Sequence, residues 1–264
     1  MTVYTVALSK GGSTKTTTAA EVVAALTAQD RRVLAIDLDQ QGNFTTRLGV
    51  TDDTDVSAVA SDVLTHEATI SEAAVPSPSV HGAHVLVGTH DLTELDQKPE
   101  VITSLRDQLP QIAGEWDDVV IDTPPALGLV TLAALAAADV VIAAVACETE
   151  ALDQLGRLED VIAARVARGM RPGQAVHWIV PTRYDHRRLL DREIVDILNE
   201  TYPGRVTSPV REAVAARDAY TAGQPVSRYA PGSPIADDYY DALRPALSLP
   251  ARERETAAPV PVSA

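Results

Sequence analysis

Short apolar runs alternate along this chain with longer stretches in which apolar residues return every three or four positions. The runs predict strands over 2–8, 32–38, 84–88, 118–123, 139–146 and 175–181, and the periodic stretches predict helices over 16–29, 99–113, 127–138, 150–169, 188–201 and 233–246. Several strands, RVLAIDL and DVVIAAVA among them, are apolar almost throughout, as strands covered on both faces must be. The alternation predicts an α/β fold, doubly wound, with a mainly parallel sheet and helices on both faces. The span 51–82 is polar and poorly periodic, contains the loop VPSPSVHG, and reads as a surface excursion. Beyond Pro250 the sequence has no apolar face, so a disordered tail over 250–264 is expected behind a single domain over 1–249.

Composition changes that picture in three places. No apolar run approaches the roughly 20 residues that span a bilayer, and the start lacks a signal-peptide pattern, so a cytoplasmic protein without a membrane partner is expected. A single cysteine, Cys147, excludes an intrachain disulfide and any thiolate cluster site contributed by one chain. The net charge of −15 speaks against nucleic acid as a partner, but the charge is uneven. Twelve arginines and nine acidic residues between Arg157 and Arg228 leave that span at +3, while the remainder carries −18.

Only three lysines accompany nineteen arginines, and two of them, Lys10 and Lys15, bracket the glycines of LSKGGSTKTTT. A compact ammonium on a thin stem suits reaching into a phosphate cluster. The stretch lies between a predicted strand and a predicted helix, the context of a P-loop. Gly11 and Gly12 let backbone N–H groups approach phosphate oxygens, and the helix behind them adds the positive end of its dipole. Lys15 then reaches the β and γ phosphates and Thr16 offers its hydroxyl to Mg²⁺; Ser13, Thr14 and Thr17 complete the candidate nucleotide contacts. The P-loop pattern has a glycine where this chain has Thr14, a departure that puts the loop geometry in question.

With its early lysine, KGGSTKT resembles the deviant Walker A motif of the ParA/MinD family of ATPases. VLAIDLDQQGN is similar to the family's VLLVDLDPQGN, DDVVIDTPPAL to its Walker B segment, and VPTRYDHR to the strand and loop beside the adenine base. The resemblance implies ATP and Mg²⁺ as cofactors. It implies that Lys10 crosses a dimer interface to the partner's nucleotide, that Asp39 positions the attacking water, and that Asp37 lies near the Mg²⁺ shell. Asp122 would hold a metal-bound water, Thr182 and Arg183 would contact the purine, and Thr123 to Gly128 would sense the γ-phosphate, with Gly128 giving the segment room to move.

Further on the resemblance is weaker. It implies that arginines at or near Arg187, Arg188, Arg211 and Arg217 bind duplex DNA without sequence preference once two ATP-bound subunits form a homodimer. The expected role is DNA partitioning beside the nucleoid, with a ParB-like centromere-binding protein stimulating hydrolysis. No DNA-binding region precedes the P-loop, so the repressor activity of longer ParA proteins is not expected. A MinD-like membrane ATPase is the rival; against it, IADDYYDALRPALSL starts acidic and is expected to break at Pro245. Nitrogenase-reductase-like chemistry is excluded by the single cysteine. A metabolic ligase or kinase would share the sheet and P-loop and stays open.

Overall fold

The computed structural model describes residues 1–10, 12 and 14–251. In chain order its elements are β1 (Thr2–Ala7), α1 (Lys15–Thr27), β2 (Val33–Asp37), α2 (Asn43–Arg47), α3 (Ala60–Leu64), α4 (Ile70–Ala73), β3 (Val75–Pro76), β4 (Ala83–Leu86), α5 (Leu92–Leu95) and α6 (Val101–Gln108). There follow β5 (Asp118–Asp122), α7 (Leu129–Ala137), β6 (Val140–Ala146), α8 (Ala151–Val161), β7 (Trp178–Thr182), α9 (Leu189–Thr201), α10 (Ala215–Thr221), α11 (Val226–Tyr229) and α12 (Pro234–Leu247). Among the described residues the strands form one sheet in the order β3-β4-β2-β5-β1-β6-β7, parallel except for β3 at the edge. The doubly wound α/β architecture is thus as the alternation predicts.

Period-two burial sorts each strand between the two faces. Val33 and Ala35 join Tyr4, Val6 and Val120 against α1 and α12, whereas Leu34 and Ile36 join Val3, Val119 and Ile121 against α6 and α7. A third cluster packs Val141, Ala143 and Val145 against Leu155, Leu158, Ile194 and Leu198. The register sets Asp37 opposite Asp122 on neighbouring strands. The P-loop and both carboxylates therefore leave the sheet at one C-terminal edge, where open α/β sheets bind ligands.

Two expectations are corrected here. The span 51–82 is not a mere surface excursion: Ala60, Val63, Leu64, Ile70 and Ala73 are buried, and Gln108 donates to the Val63 carbonyl at 2.7 Å. Its helices are four or five residues long, too short to show a 3.6-residue period. The last helix does not break at Pro245 but runs on to Leu247. A proline inside a helix costs about 3 kcal/mol, and burying a large apolar side chain returns about 1.5–3 kcal/mol. Beyond the proline, Ala246 and Leu247 continue the buried face begun by Ile235, Tyr239 and Leu243. Of the tail expected over 250–264, residues 252–264 lie outside the described residues.

Candidate nucleotide site

The loop joining β1 to α1 takes its shape from a residue in a conformation that threonine rarely adopts. Thr14 lies at φ 67°, ψ 14°, the left-handed region that the P-loop glycine would occupy without strain. For an L residue this costs about 1–2 kcal/mol. Its hydroxyl donates to Thr182 Oγ1 at 2.7 Å, which ties the loop to the end of β7. The loop geometry in question is thus accommodated, and Thr182 serves as its brace. Gly12 is also left-handed, at φ 74°, while Gly11 and Ser13 lie outside the described residues.

Lys15, buried at the first turn of α1, donates to the Lys10 carbonyl at 2.8 Å. Burial lowers its pKa, against the opposing pull of Asp122 and Asp39. Thr16 donates to Asp122 Oδ2 at 2.7 Å, and Asp122 Oδ1 is buried without a partner. Burial first, and then the Asp37 carboxylate, push the Asp122 pKa upward. An orphaned carboxylate oxygen beside a threonine hydroxyl is a donor set that fits Mg²⁺, which is commonly held by one or two carboxylates with water and substrate phosphate. Among the described residues no group of three His, Cys, Asp or Glu side chains forms a metal cage.

Asp37 is differently engaged. Its Oδ2 accepts from Thr45 N and Thr45 Oγ1, both at 2.8 Å, and its Oδ1 accepts from Asp39 N at 3.0 Å. Complete burial still raises its pKa to about 6. These bonds anchor the loop that carries Asp39, so Asp37 reaches the metal region through its neighbours. A side chain at Gly88 would collide with it, the Asp37 carboxyl carbon lying 2.8 Å from the Cβ position. Asp39 accepts from Gln41 N at 3.0 Å and faces a cavity of about 560 Å³ with Lys15, Thr16 and Thr17. A second cavity of about 390 Å³ continues past Gly12, Thr14 and Thr17 to Arg183, Glu212 and Ile235.

This layout has counterparts in known proteins. A family model described as an AAA domain matches residues 1–169. The chromosome partitioning protein ParA of Caulobacter vibrioides is 36% identical over 234 residues, which cover 86% of either chain. The ParA of Myxococcus xanthus is 37% identical over 191 residues, 71% of this chain and 66% of that one. The chain belongs to the ParA/MinD family of P-loop ATPases. Cobyrinic acid a,c-diamide synthase from Mycobacterium smegmatis, solved with ADP and magnesium, is 31% identical at a TM-score of 0.73, covering 89% of this chain and 98% of its own.

Several residues that the family resemblance singles out have unexpected neighbours. Lys10 Nζ is bonded within its own protomer, to Glu148 Oε2 at 2.5 Å and Glu150 Oε2 at 3.2 Å. The Glu148 hydrogen bond, and then that of Glu150, raise its pKa. Arg183 shares Glu148 at 2.6 Å and adopts a left-handed φ of 56°. At Gly128 the backbone is extended, and a side chain would run into the Asp96 carboxylate. Asp96 instead accepts from Val130 N at 3.2 Å and caps α7 in trans, so a bulkier residue at 128 would displace the cap.

The four arginines assigned to DNA lie along two cavities that share Arg211. Arg187 pairs with Asp185 at 2.8 Å, Arg188 lies 3.9 Å from both Asp185 and Glu212, and Arg211 holds Asp238 at 2.9 Å. Arg217 lines the 390 Å³ cavity together with Arg47 and Arg211. Sequence reasoning missed Arg47, Tyr220 and the two glutamates on Lys10. Only the spacing of Arg47 from Asn43, one helical turn, hinted that both face the same way.

Proposed function

We propose that this protein is a ParA-type ATPase for DNA partitioning, binding ATP with Mg²⁺ and turning it over in a homodimer on duplex DNA. The observation that carries the reading is the lysine pair: Lys15 is buried on the P-loop beside Asp122 and Asp39, whereas Lys10 is half-exposed and held by two surface glutamates. Lys15 and the α1 N-terminus hold the β and γ phosphates, and Thr16 with the open Asp122 oxygen would hold Mg²⁺. The metal supplies charge neutralisation on the transferring phosphoryl group. Asp39 orients water, and Lys10 leaves Glu148 and Glu150 to reach the nucleotide of a second copy. Arg187, Arg188 and Arg211 then exchange their carboxylates for DNA phosphates, and a ParB-like protein stimulates turnover.

Similarity to partitioning proteins over most of the chain supports this reading. Against the MinD-like alternative, the apolar face of α12 is buried in the protein. The similarity to the diamide synthase keeps a small-molecule ATP-dependent enzyme as the second reading. Light scattering and duplex DNA binding, with and without ATP, separate them. The proposal expects an ATP-dependent dimer that binds DNA, and a Lys10→Ala variant that binds ATP yet stays monomeric. Vesicle binding in place of DNA, or turnover that needs a small-molecule acceptor, would replace it.

A further inference from the structure

Arg47, the last residue of α2, is a buried cation with no carboxylate on it. Its side chain sits in a residue only 8% exposed. Both Nη1 and Nη2 reach only the Ala216 carbonyl, at a long 3.4 Å, and Cζ lies 5.0 Å from the centroid of the Tyr220 ring. Among the described residues no ion pair involves it. Of the acids whose charge acts on it, Glu21 accepts from Val226 N and Ser227 N, and Asp122 accepts from Thr16 and lies at the metal end of the site, and neither pairs with it. A guanidinium has five donors, and a buried one left this poorly bonded is costly unless an anion completes it.

The position of Arg47 says which anion. It lines both cavities, and the residues it shares between them are Gly12, Thr14 and Thr17 of the P-loop segment. One cavity holds Lys15, Thr16 and Asp39, the end for the terminal phosphates and metal; the other holds Arg183, Ala213 and Ile235, the end for the base. What lies between these ends in a nucleotide is its α-phosphate and ribose, and of the two only the phosphate is an anion. We propose that Arg47 is a nucleotide-contacting residue whose guanidinium binds the α-phosphate at the junction of the two cavities. The inference rests on the reading of this site as an ATP site. The weak contacts to Ala216 cost little to exchange, and a planar fork suits phosphate oxygens. Tyr220 keeps the fork in place from α10, and its hydroxyl is itself held by Asn43 Oδ1 at 2.7 Å.

The test is calorimetric titration of Mg²⁺-ATP and Mg²⁺-ADP into the wild type, Arg47→Met and Arg47→Lys, with melting temperature recorded for each protein alone. Loss of a charge-assisted phosphate contact should weaken ATP and ADP by the same factor, roughly 10- to 100-fold for Arg47→Met, with partial recovery in Arg47→Lys. Affinity within twofold of wild type for Arg47→Met overturns the proposal, as does a loss confined to ATP, which would put the residue on the γ-phosphate. If Arg47→Met is too unstable to titrate, Tyr220→Leu, which removes the ring but keeps the charge, decides. A modest loss shared by both nucleotides supports the contact, and unchanged affinity overturns it. A wild type that binds neither nucleotide would instead refute the ATP-site reading.

Discussion

The phosphate chamber and the arginine face treat charge in opposite ways. In the chamber, Lys15, Arg47, Asp37, Asp39 and Asp122 are all buried, and none of them forms an ion pair among the described residues; Asp122 has an orphaned oxygen and Arg47 only a distant carbonyl. On the face, Arg187, Arg188 and Arg211 are exposed and each lies within ion-pair distance of a carboxylate. Charges buried without partners are expensive, so the chamber is built at a cost in stability that a ligand offsets. Exposed pairs are worth about 0–1 kcal/mol, so the face is nearly neutral in itself and exchanges partners cheaply. One region is preorganised for a ligand; the other must be switched.

The largest break in that comparison lies inside the chamber. Asp39→Ala should cut ATP turnover by roughly 100- to 1,000-fold, since positioning and electrostatics carry phosphoryl transfer, while equilibrium binding of Mg²⁺-ATP stays within about threefold. Lys15→Ala should lose binding itself. Equal binding losses in the two variants would show that Asp39 shapes the cradle and does not orient water.

The stored cost of the chamber should appear as a pH dependence of the nucleotide-free protein. The folded pKa of Asp37 is about 6, raised by burial above the ordinary carboxylate value. Its contribution is therefore fully present below about pH 4 and is lost as pH rises through about 6, amounting to about 3 kcal/mol over the whole window. Urea denaturation from pH 4 to 6.5 should show a stability slope that becomes shallower in Asp37→Asn. An unchanged slope would mean that Asp37 is not the group that titrates.

Smaller effects test the face. Asp185→Asn combined with Asp238→Asn releases Arg187 and Arg211 and leaves Arg188 near Glu212 alone, and should raise ATP-dependent affinity for arbitrary duplex by roughly 5- to 10-fold at low salt, with a steeper fall as salt is added. Basal ATPase should not change. Unaltered DNA binding would detach these arginines from the DNA reading. Smallest of all, Glu150→Gln removes one of two surface partners of Lys10 and should tighten the ATP-dependent dimer by about two- to fivefold in light scattering. No change would mean that Glu150 does not restrain Lys10.

The chemistry of the chamber and most of the sheet could be read along the chain, because both are local. Strand alternation depends on neighbours two residues apart, and a P-loop is a short contiguous loop between a strand and a helix. The capping pair Thr69 and Glu72 shows how a local signal can be present and still go unread, since α4 behind it is too short to carry a period. What tertiary structure alone decided are the partnerships across long sequence distances. Thr14 can hold a glycine's conformation because Thr182, 168 residues away, braces it. Lys10 lies against Glu148 because β6 neighbours β1 in the sheet. Arg47 becomes a candidate phosphate contact only because α10 folds back to bring Ala216 and Tyr220 against it. Sequence determines which charges exist and which elements carry them; whether a charge ends buried and unpaired, or exposed and neutralised, depends on which elements pack together, since desolvation and pairing are properties of the assembled neighbourhood.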